Sequence, residues 1–418
     1  MPTIAVLGTF DTKGAELRFL AGEIQRHGHT VLTIDVATLQ HDGPPTDFGC
    51  EAVAPRSGVA DWRTVLARKD RGVSIALMAE GAARLLAELA ASGSIQGAIS
   101  MGGGGGTAIG SAAMRPLPFG FPRIMVTTLA SGNTAPYVGT SDLVLFPAIV
   151  DVAGLNRISR LTFENAAAAI CGMVSAAEIR RGVPPEGKPL VVASMFGNTT
   201  ACINEAKSLI EAAGYEVLVF HATGTGGRNM ETLIASGLVS GVLDLTTTEW
   251  ADELVGGILS AGPTRLDAAA KLGVPTILAP GCLDMVNFGE RQTVPPRFAG
   301  RLFYQHNPQV TLMRTSVTES AELGRILATK ANAHGGPVTL FFPKRGLSAI
   351  GEAGQSFHAP EADAALLAAI REHLNPGIPL IEIDAPINAP TFAQACAQSL
   401  LDSMTRTQPH KSAPSTSK

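Results

Sequence analysis

Lys13 follows an apolar run, Thr3-Ile4-Ala5-Val6-Leu7, and stands in Gly8-Thr9-Phe10-Asp11-Thr12-Lys13-Gly14 beside hydroxyls and a carboxylate. The set suits a phosphate group. Asp11 alone would serve Mg²⁺, which keeps several waters and asks for only one or two carboxylates. A second stretch complements it: Gln96-Gly97-Ala98-Ile99-Ser100-Met101 reads as a buried strand ending in five glycines, Gly102, Gly103, Gly104, Gly105 and Gly106, before Thr107-Ala108-Ile109-Gly110 opens a helix. Glycines let backbone N–H groups approach an anion closely, and the positive end of the following helix favours negative charge. Lys13 is expected to reach a phosphate seated on this run. The run lacks the Lys-Ser/Thr of a Walker A loop and is not the first βα turn of a dinucleotide fold, so the motif specifies an anion rather than a particular ligand. Thr127-Thr128 and Ser131-Gly132-Asn133-Thr134 end the next strand and would lie beside the glycines if the two strands are neighbours, although such residues also make ordinary capped turns.

In the second half, Asp244-Leu245-Thr246-Thr247-Thr248-Glu249-Trp250-Ala251-Asp252-Glu253 ends a strand and opens a helix, with Glu249 or Asp252 as the candidate base. Capping rules account for the same acidic residues. Asp284 and Asn287 in Gly281–Gly289, His306 and Arg314 are expected to converge on that segment, His306 as general acid or base and Arg314 as clamp for a carboxylate or phosphate. Cys282 reads as a small buried apolar residue rather than a nucleophile. Asp151 reads as a helix N-cap.

These residues need a scaffold of parallel strands. The chain of 418 residues, 45% hydrophobic and 16% charged, is long enough for two cores. Thr3–Leu7, a helical pattern on Leu17, Leu20 and Ile24, and Thr30–Val36 make a βαβ unit. Residues 41–60 read as a loop; helices are expected near 61–68, 79–92 and 157–180, and strands at 123–128 and 142–150. Pro184-Pro185-Glu186-Gly187 marks a boundary. Beyond it Pro189–Met195, a Phe-containing polar turn, a helix and Glu216–Phe220 repeat the opening, and His221–Arg228 supplies another small glycine loop. Further strands are expected at 241–245, 276–279, 310–313, 338–342 and 380–383. The expected architecture is α/β: two Rossmann-like three-layer subdomains with mostly parallel sheets, residues 1–183 for nucleotide and 188–404, then a disordered tail at 405–418.

A net charge of −4, three Tyr and two Trp give no footprint for nucleic acid as a main ligand. No apolar run reaches the ~18 residues of a membrane span and no leader precedes the first strand, so a cytoplasmic location is expected. Five scattered cysteines without a CxxC pair indicate neither a disulfide framework nor a zinc site.

Gly8–Lys13, Gly102–Thr107, Ser131-Gly132, Gly139–Val144, Asp244–Glu249, Leu283–Gly289 and His306-Asn307-Pro308, in this order over about residues 1 to 400, resemble the family of the N-terminal ATP-binding domain of the tomato mosaic virus resistance protein. The resemblance implies ATP with Mg²⁺, two Rossmann-like subdomains and self-association as a homo-oligomer. It carries Thr9, Lys13, the glycine run and Ser131-Gly132 into the nucleotide site. The plant member continues into a domain like a TIM-barrel phosphoenolpyruvate hydrolase, so a separate barrel protein of that kind is an expected partner. The leading expectation is an ATP-dependent enzyme acting on a small anionic metabolite bound between the two subdomains. Glu249, His306 and Asp284 would be catalytic there, and Asn287 and Arg314 would bind the metabolite. A non-catalytic ATP-gated regulator and an ATP-independent hydrolase or lyase are the alternatives.

Overall fold

The computed structural model describes residues 1–38, 43–181 and 187–407. The chain folds as two compact units, Met1–Pro185 and Glu186–Lys418. Pro184, Pro185 and Glu186 of the expected boundary, and 408–418 of the expected tail, lie outside the described residues. Among the described residues no helix is long and apolar enough to cross a membrane.

The N-terminal unit is a five-stranded parallel sheet of β1 (Thr3–Gly8), β2 (Thr30–Asp35), β3 (Gly97–Gly102), β4 (Arg123–Thr127) and β5 (Val144–Pro147), in the order β2-β1-β3-β4-β5. Side chains alternate across a strand, and here the two faces build two cores. Ala5 and Leu7 of β1 pack with helices Arg71–Ala91 and Gly104–Met114, whereas Ile4 and Val6 pack with helices Phe10–Arg26 and Arg157–Arg180. This is the expected three-layer arrangement. Because strand order reverses between β1 and β3, the loops after those two strands diverge to opposite faces and leave a crevice at their carboxyl ends. Lys13, in the first turn of helix Phe10–Arg26, and the glycine run, which ends β3 and opens helix Gly104–Met114, stand at these two strand ends.

The C-terminal unit has a six-stranded parallel sheet of β6 (Leu190–Met195), β7 (Glu216–His221), β8 (Val239–Thr246), β9 (Thr276–Gly281), β13 (Val338–Pro343) and β14 (Leu380–Ile383), ordered β14-β13-β9-β8-β6-β7. Its first four strands repeat the order of β2-β1-β3-β4, which is the internal repeat read from the sequence. Between β9 and β13 a separate antiparallel sheet is inserted, of β10 (Met285–Phe288), β11 (Phe303–Asn307) and β12 (Val310–Arg314). The strand expected at 310–313 belongs to this insert rather than to the parallel sheet.

Three local expectations are corrected. Residues 50–57, expected as loop, form a helix, Cys50–Val53, and a 3₁₀ turn, Ala54–Ser57, because Val53 and Ala54 are drawn into the core. Helix Pro390–Thr407 runs three residues into the stretch expected to be disordered, held by Leu400 and Met404 in the core. Asp151 caps nothing: Asn156 accepts from Ile158 N and Ser159 N and is the N-cap of helix Arg157–Arg180.

Candidate functional site

The crevice between β1 and β3 contains a cavity of about 540 Å³. Thr9, Asp11, Thr12 and Lys13 line it from the first loop and Gly102 to Gly106 from the second, joined by Thr38, Lys69, Arg71, Ser74 and Asp151. The first loop is built on Asp35, the buried end of β2, whose Oδ1 accepts from Phe10 N at 3.1 Å and Ala37 N at 2.9 Å. The helix that follows is irregular at Lys13 (φ −126°, ψ 19°). Thr12 Oγ1 lies 3.1 Å from Thr9 Oγ1 and 3.2 Å from Asp11 Oδ1.

The glycines divide into two groups. A Cβ on Gly102 would meet Gly106 Cα at 2.8 Å, so this position serves close packing of strand end on helix. Gly103, Gly104 and Gly105 face the cavity instead. A Cβ on Gly105 would lie 3.4 Å from Arg71 Nη2, one on Gly103 would lie 3.9 Å from Thr128 Oγ1 and 4.0 Å from Asp151 Oδ1, and one on Gly104 would meet nothing within 4 Å. The run therefore has a cation at one end, a hydroxyl and a carboxylate at the other, and open space between. None of Lys13, Lys69 and Arg71 has a side-chain hydrogen bond or ion pair among the described residues. Lys13 is half-buried and Lys69 and Arg71 are exposed at the cavity, and three cations against two carboxylates favour an anionic occupant.

Of the remaining residues expected here, Thr107 is fully buried beneath the loop, where its Oγ1 bonds Thr127 Oγ1 at 2.7 Å and ties the helix start to β4. Thr128 and Ser131 line an adjoining cavity of about 460 Å³, while Gly132 lines neither. Lys69, Arg71, Thr38 and Ser74 escaped sequence reading, and Asp151 was read as a helix N-cap rather than as part of this site. The one available signal was the charge run Arg68-Lys69-Asp70-Arg71, unusual in a chain so poor in charge. Among the described residues no three His, Cys, Asp or Glu are grouped to hold a metal ion.

The polar residues of the C-terminal unit are placed differently. Glu249 is buried, and its Oε1 accepts from Gly224 N at 2.7 Å and Gly227 N at 3.0 Å. Its Oε2 accepts from Arg265 Nε at 2.7 Å, and Arg265 also binds Asp244 through both terminal nitrogens, at 2.5 and 2.7 Å. Burial alone would lower the pKa of Arg265, but Asp244, then Glu249 and Glu231, hold it well above the usual value. The second glycine loop is thus an anion site filled by the chain's own carboxylate.

Asp284 is buried, accepts from Ser348 Oγ at 2.6 Å and leaves Oδ1 without a donor; Arg314 pairs with Asp363 at 2.6 Å and donates to Phe357 O at 2.8 Å and Thr315 Oγ1 at 2.8 Å. These two stand near one another. His306 does not join them: it is exposed at a bulge in β11, 6.5 Å from the Tyr304 ring. Cys282 is buried with Met285, Leu312 and Phe357, and burial pushes its thiol well up.

Asn287 meets Asp252 instead, donating from its backbone N at 3.0 Å and from Nδ2 at 2.7 Å. Burial pushes Asp252 up to about 7, against the pull of these hydrogen bonds, and Asp284 up to about 6. Asn287 Oδ1 has no donor. A protonated Asp252 supplies one once the amide is turned. Because the folded state holds these protons above the pH at which the unfolded chain releases them, stability should fall as pH rises from about 4 to about 7 and then level. Urea midpoints at about pH 5 and pH 8, read on Trp250 fluorescence in a Trp62→Phe background, should show this fall, and Asp252→Asn should reduce it. An undiminished slope in that variant would assign the titration elsewhere.

The model of the Uncharacterised protein family (UPF0261) N-terminal domain matches residues 2–179, and that of its C-terminal domain matches residues 188–404. The chain belongs to this family. A UPF0261 protein of Clostridium tetani is 45% identical over 407 residues, covering 96% of this chain and 98% of its own length. The ToMV resistance protein Tm-1(GCR237) of Solanum lycopersicum is 38% identical over 422 residues, which cover 96% of this chain and 56% of that longer protein. The resemblance read from the motifs is therefore kinship. Among solved structures, UDP-N-acetylglucosamine 2-epimerase from Rickettsia bellii is similar at a TM-score of 0.23 and 12% identity, covering 66% of this chain and 78% of that one; so loose a likeness carries no functional argument.

Proposed function

We propose that the N-terminal unit of this UPF0261 protein binds ATP with Mg²⁺, and that the chain is a cytoplasmic ATP-dependent enzyme. One contrast carries the reading. Both units present a glycine loop at the carboxyl edge of a parallel sheet, and in the C-terminal unit Glu249 fills it, whereas in the N-terminal unit Gly103–Gly105 face a cavity with three cations that have no side-chain partner among the described residues. A triphosphate fits the donors and the charge. Asp11, engaged among the described residues only by Thr12 Oγ1, would hold Mg²⁺ through its other oxygen with water completing the shell. A neighbouring cavity of about 520 Å³, with Trp62, Leu66 and Ala37 in its walls, shares Thr38 and Lys69 with the first and offers the apolar surface a base requires.

Calorimetric titration of the full chain with Mg-ATP tests this. Lys13→Ala should weaken binding about 10- to 100-fold, the value of one charge-assisted contact. A variant that binds as tightly as the parent removes Lys13 from the site, and a parent that does not bind refutes the reading. Assay of the same samples for ADP, AMP and phosphate reads whether the nucleotide is consumed.

A further inference from the structure

The cavity at the glycine loop is the middle one of three. It shares Thr38 and Lys69 with the Trp62 cavity, and at its other end it shares Asp151 with the cavity of about 460 Å³ lined by Thr128, Ser131 and the segment 147–151. Among the described residues Asp151 is the one common to the linings of the glycine-loop cavity and this third cavity. Its carboxylate has no hydrogen bond or ion pair among the described residues, and it caps no helix. Its Oδ1 and Thr128 Oγ1 both stand about 4 Å from where a Gly103 side chain would begin, so the two groups flank the end of the glycine loop where the third cavity opens.

The third cavity differs chemically from the first. Among the described residues no Lys or Arg lines it; its polar groups are hydroxyls, backbone and Asp151, and Ala130, Pro147, Ala148, Ile149 and Val150 make up its apolar wall. Such a lining suits an uncharged, hydroxyl-bearing molecule better than an anionic one. Ile149, a β-branched residue held at φ 62° and 78% exposed, is strained in the loop that carries Asp151.

We propose that this cavity is the acceptor subsite for phosphoryl transfer, that its occupant is a neutral polyol or sugar, and that Asp151 receives the proton of the acceptor hydroxyl. The proposal rests on the triphosphate reading above. The acceptor oxygen bonds to the γ-phosphorus as the bond from that phosphorus to the β–γ bridging oxygen breaks. The nucleoside diphosphate departs with the electron pair, and the hydroxyl proton passes to the Asp151 carboxylate. The products are a phosphomonoester and ADP, and Asp151 returns the proton to water. The second substrate then differs from the anionic metabolite expected of the C-terminal unit, where Arg314 is already bound to Asp363.

The full chain is incubated with Mg-ATP labelled in the γ-phosphate, alone and with glycerol, erythritol, ribose, glucose or myo-inositol. The parent should label at least one of these and hydrolyse ATP slowly without them. Asp151→Asn, which removes a negative charge from the lining of the nucleotide cavity, should bind Mg-ATP at least as tightly as the parent yet lose transfer by about 100-fold or more, and Asp151→Glu should recover part of it. Ala130→Phe should leave nucleotide affinity unchanged and raise KM for the acceptor. Three results would overturn the proposal: bound ATP whose label stays intact with water and with every polyol, transfer at the parental rate by Asp151→Asn, or a loss of Mg-ATP affinity of about tenfold in that variant, which would make Asp151 a metal ligand. Failure of the parent to bind Mg-ATP, read separately by calorimetry, would refute the nucleotide reading beneath it.

Discussion

Arg265→Ala is expected to destabilise the C-terminal unit by about 3–5 kcal/mol, the usual result of removing one partner from a buried charge cluster. Arg265, Asp244 and Glu249 are each almost completely buried, and the two carboxylates depend on the guanidinium for neutralisation. Glu231 also contacts Arg265, at 3.2 Å, but is held independently by Leu266 N and Ala268 N, both at 2.8 Å. Removing the cation leaves Asp244 and Glu249 to bear desolvation together, close to one another. Urea unfolding read on Trp250 in the Trp62→Phe background isolates this unit, since each unit holds one tryptophan. A loss below about 1 kcal/mol would mean that the cluster relaxes or admits water. Glu249→Gln bears on function through the same measurement. If Glu249 holds the Gly224–Gly227 loop, the variant loses stability; if it were a catalytic base, it would lose turnover with stability kept.

Gly104→Asp is expected to abolish Mg-ATP binding, weakening it by about 100-fold or more, without destabilising the chain. The added side chain meets no atom within 4 Å, and the residue opens helix Gly104–Met114, where a carboxylate is favoured by about 0.3–1 kcal/mol. The same charge would face the triphosphate across the cradle. Stability and affinity should therefore move in opposite directions, a pattern that a merely disrupted fold does not produce. Gly104→Asn separates charge from bulk and should retain most of the affinity. Gly102→Ala is the counterpart: it drives a methyl toward Gly106 Cα and should lower stability. Parental affinity in Gly104→Asp would place the anion elsewhere.

The parallel strands were legible because a strand buried on both faces must be apolar throughout, and Gly, Pro or Asn interrupts the chain where it turns. Helix 157–180 was legible from its length and period. The antiparallel insert was not, since the pattern of Val310–Met313 states that a strand exists but neither its direction nor its partner. Asp151 was misread for a related reason: Asp followed by a helical pattern is a capping signal, and only the course of 151–156 reveals that Asn156 takes that role.

The sequence by itself determined that strands end in glycine-rich turns before helices, the kind of place that suits an anion. Tertiary structure decided which place is open. A loop's backbone conformation depends on its own few residues, whereas the solvation of its N–H groups depends on what folds over them. Glu249, 25 residues from Gly224, closes one loop, while Lys69, Arg71 and Asp151 are brought from either side to the other and leave it open. Burial and long-range pairing set those environments, and neither is encoded in the spacing of neighbouring residues.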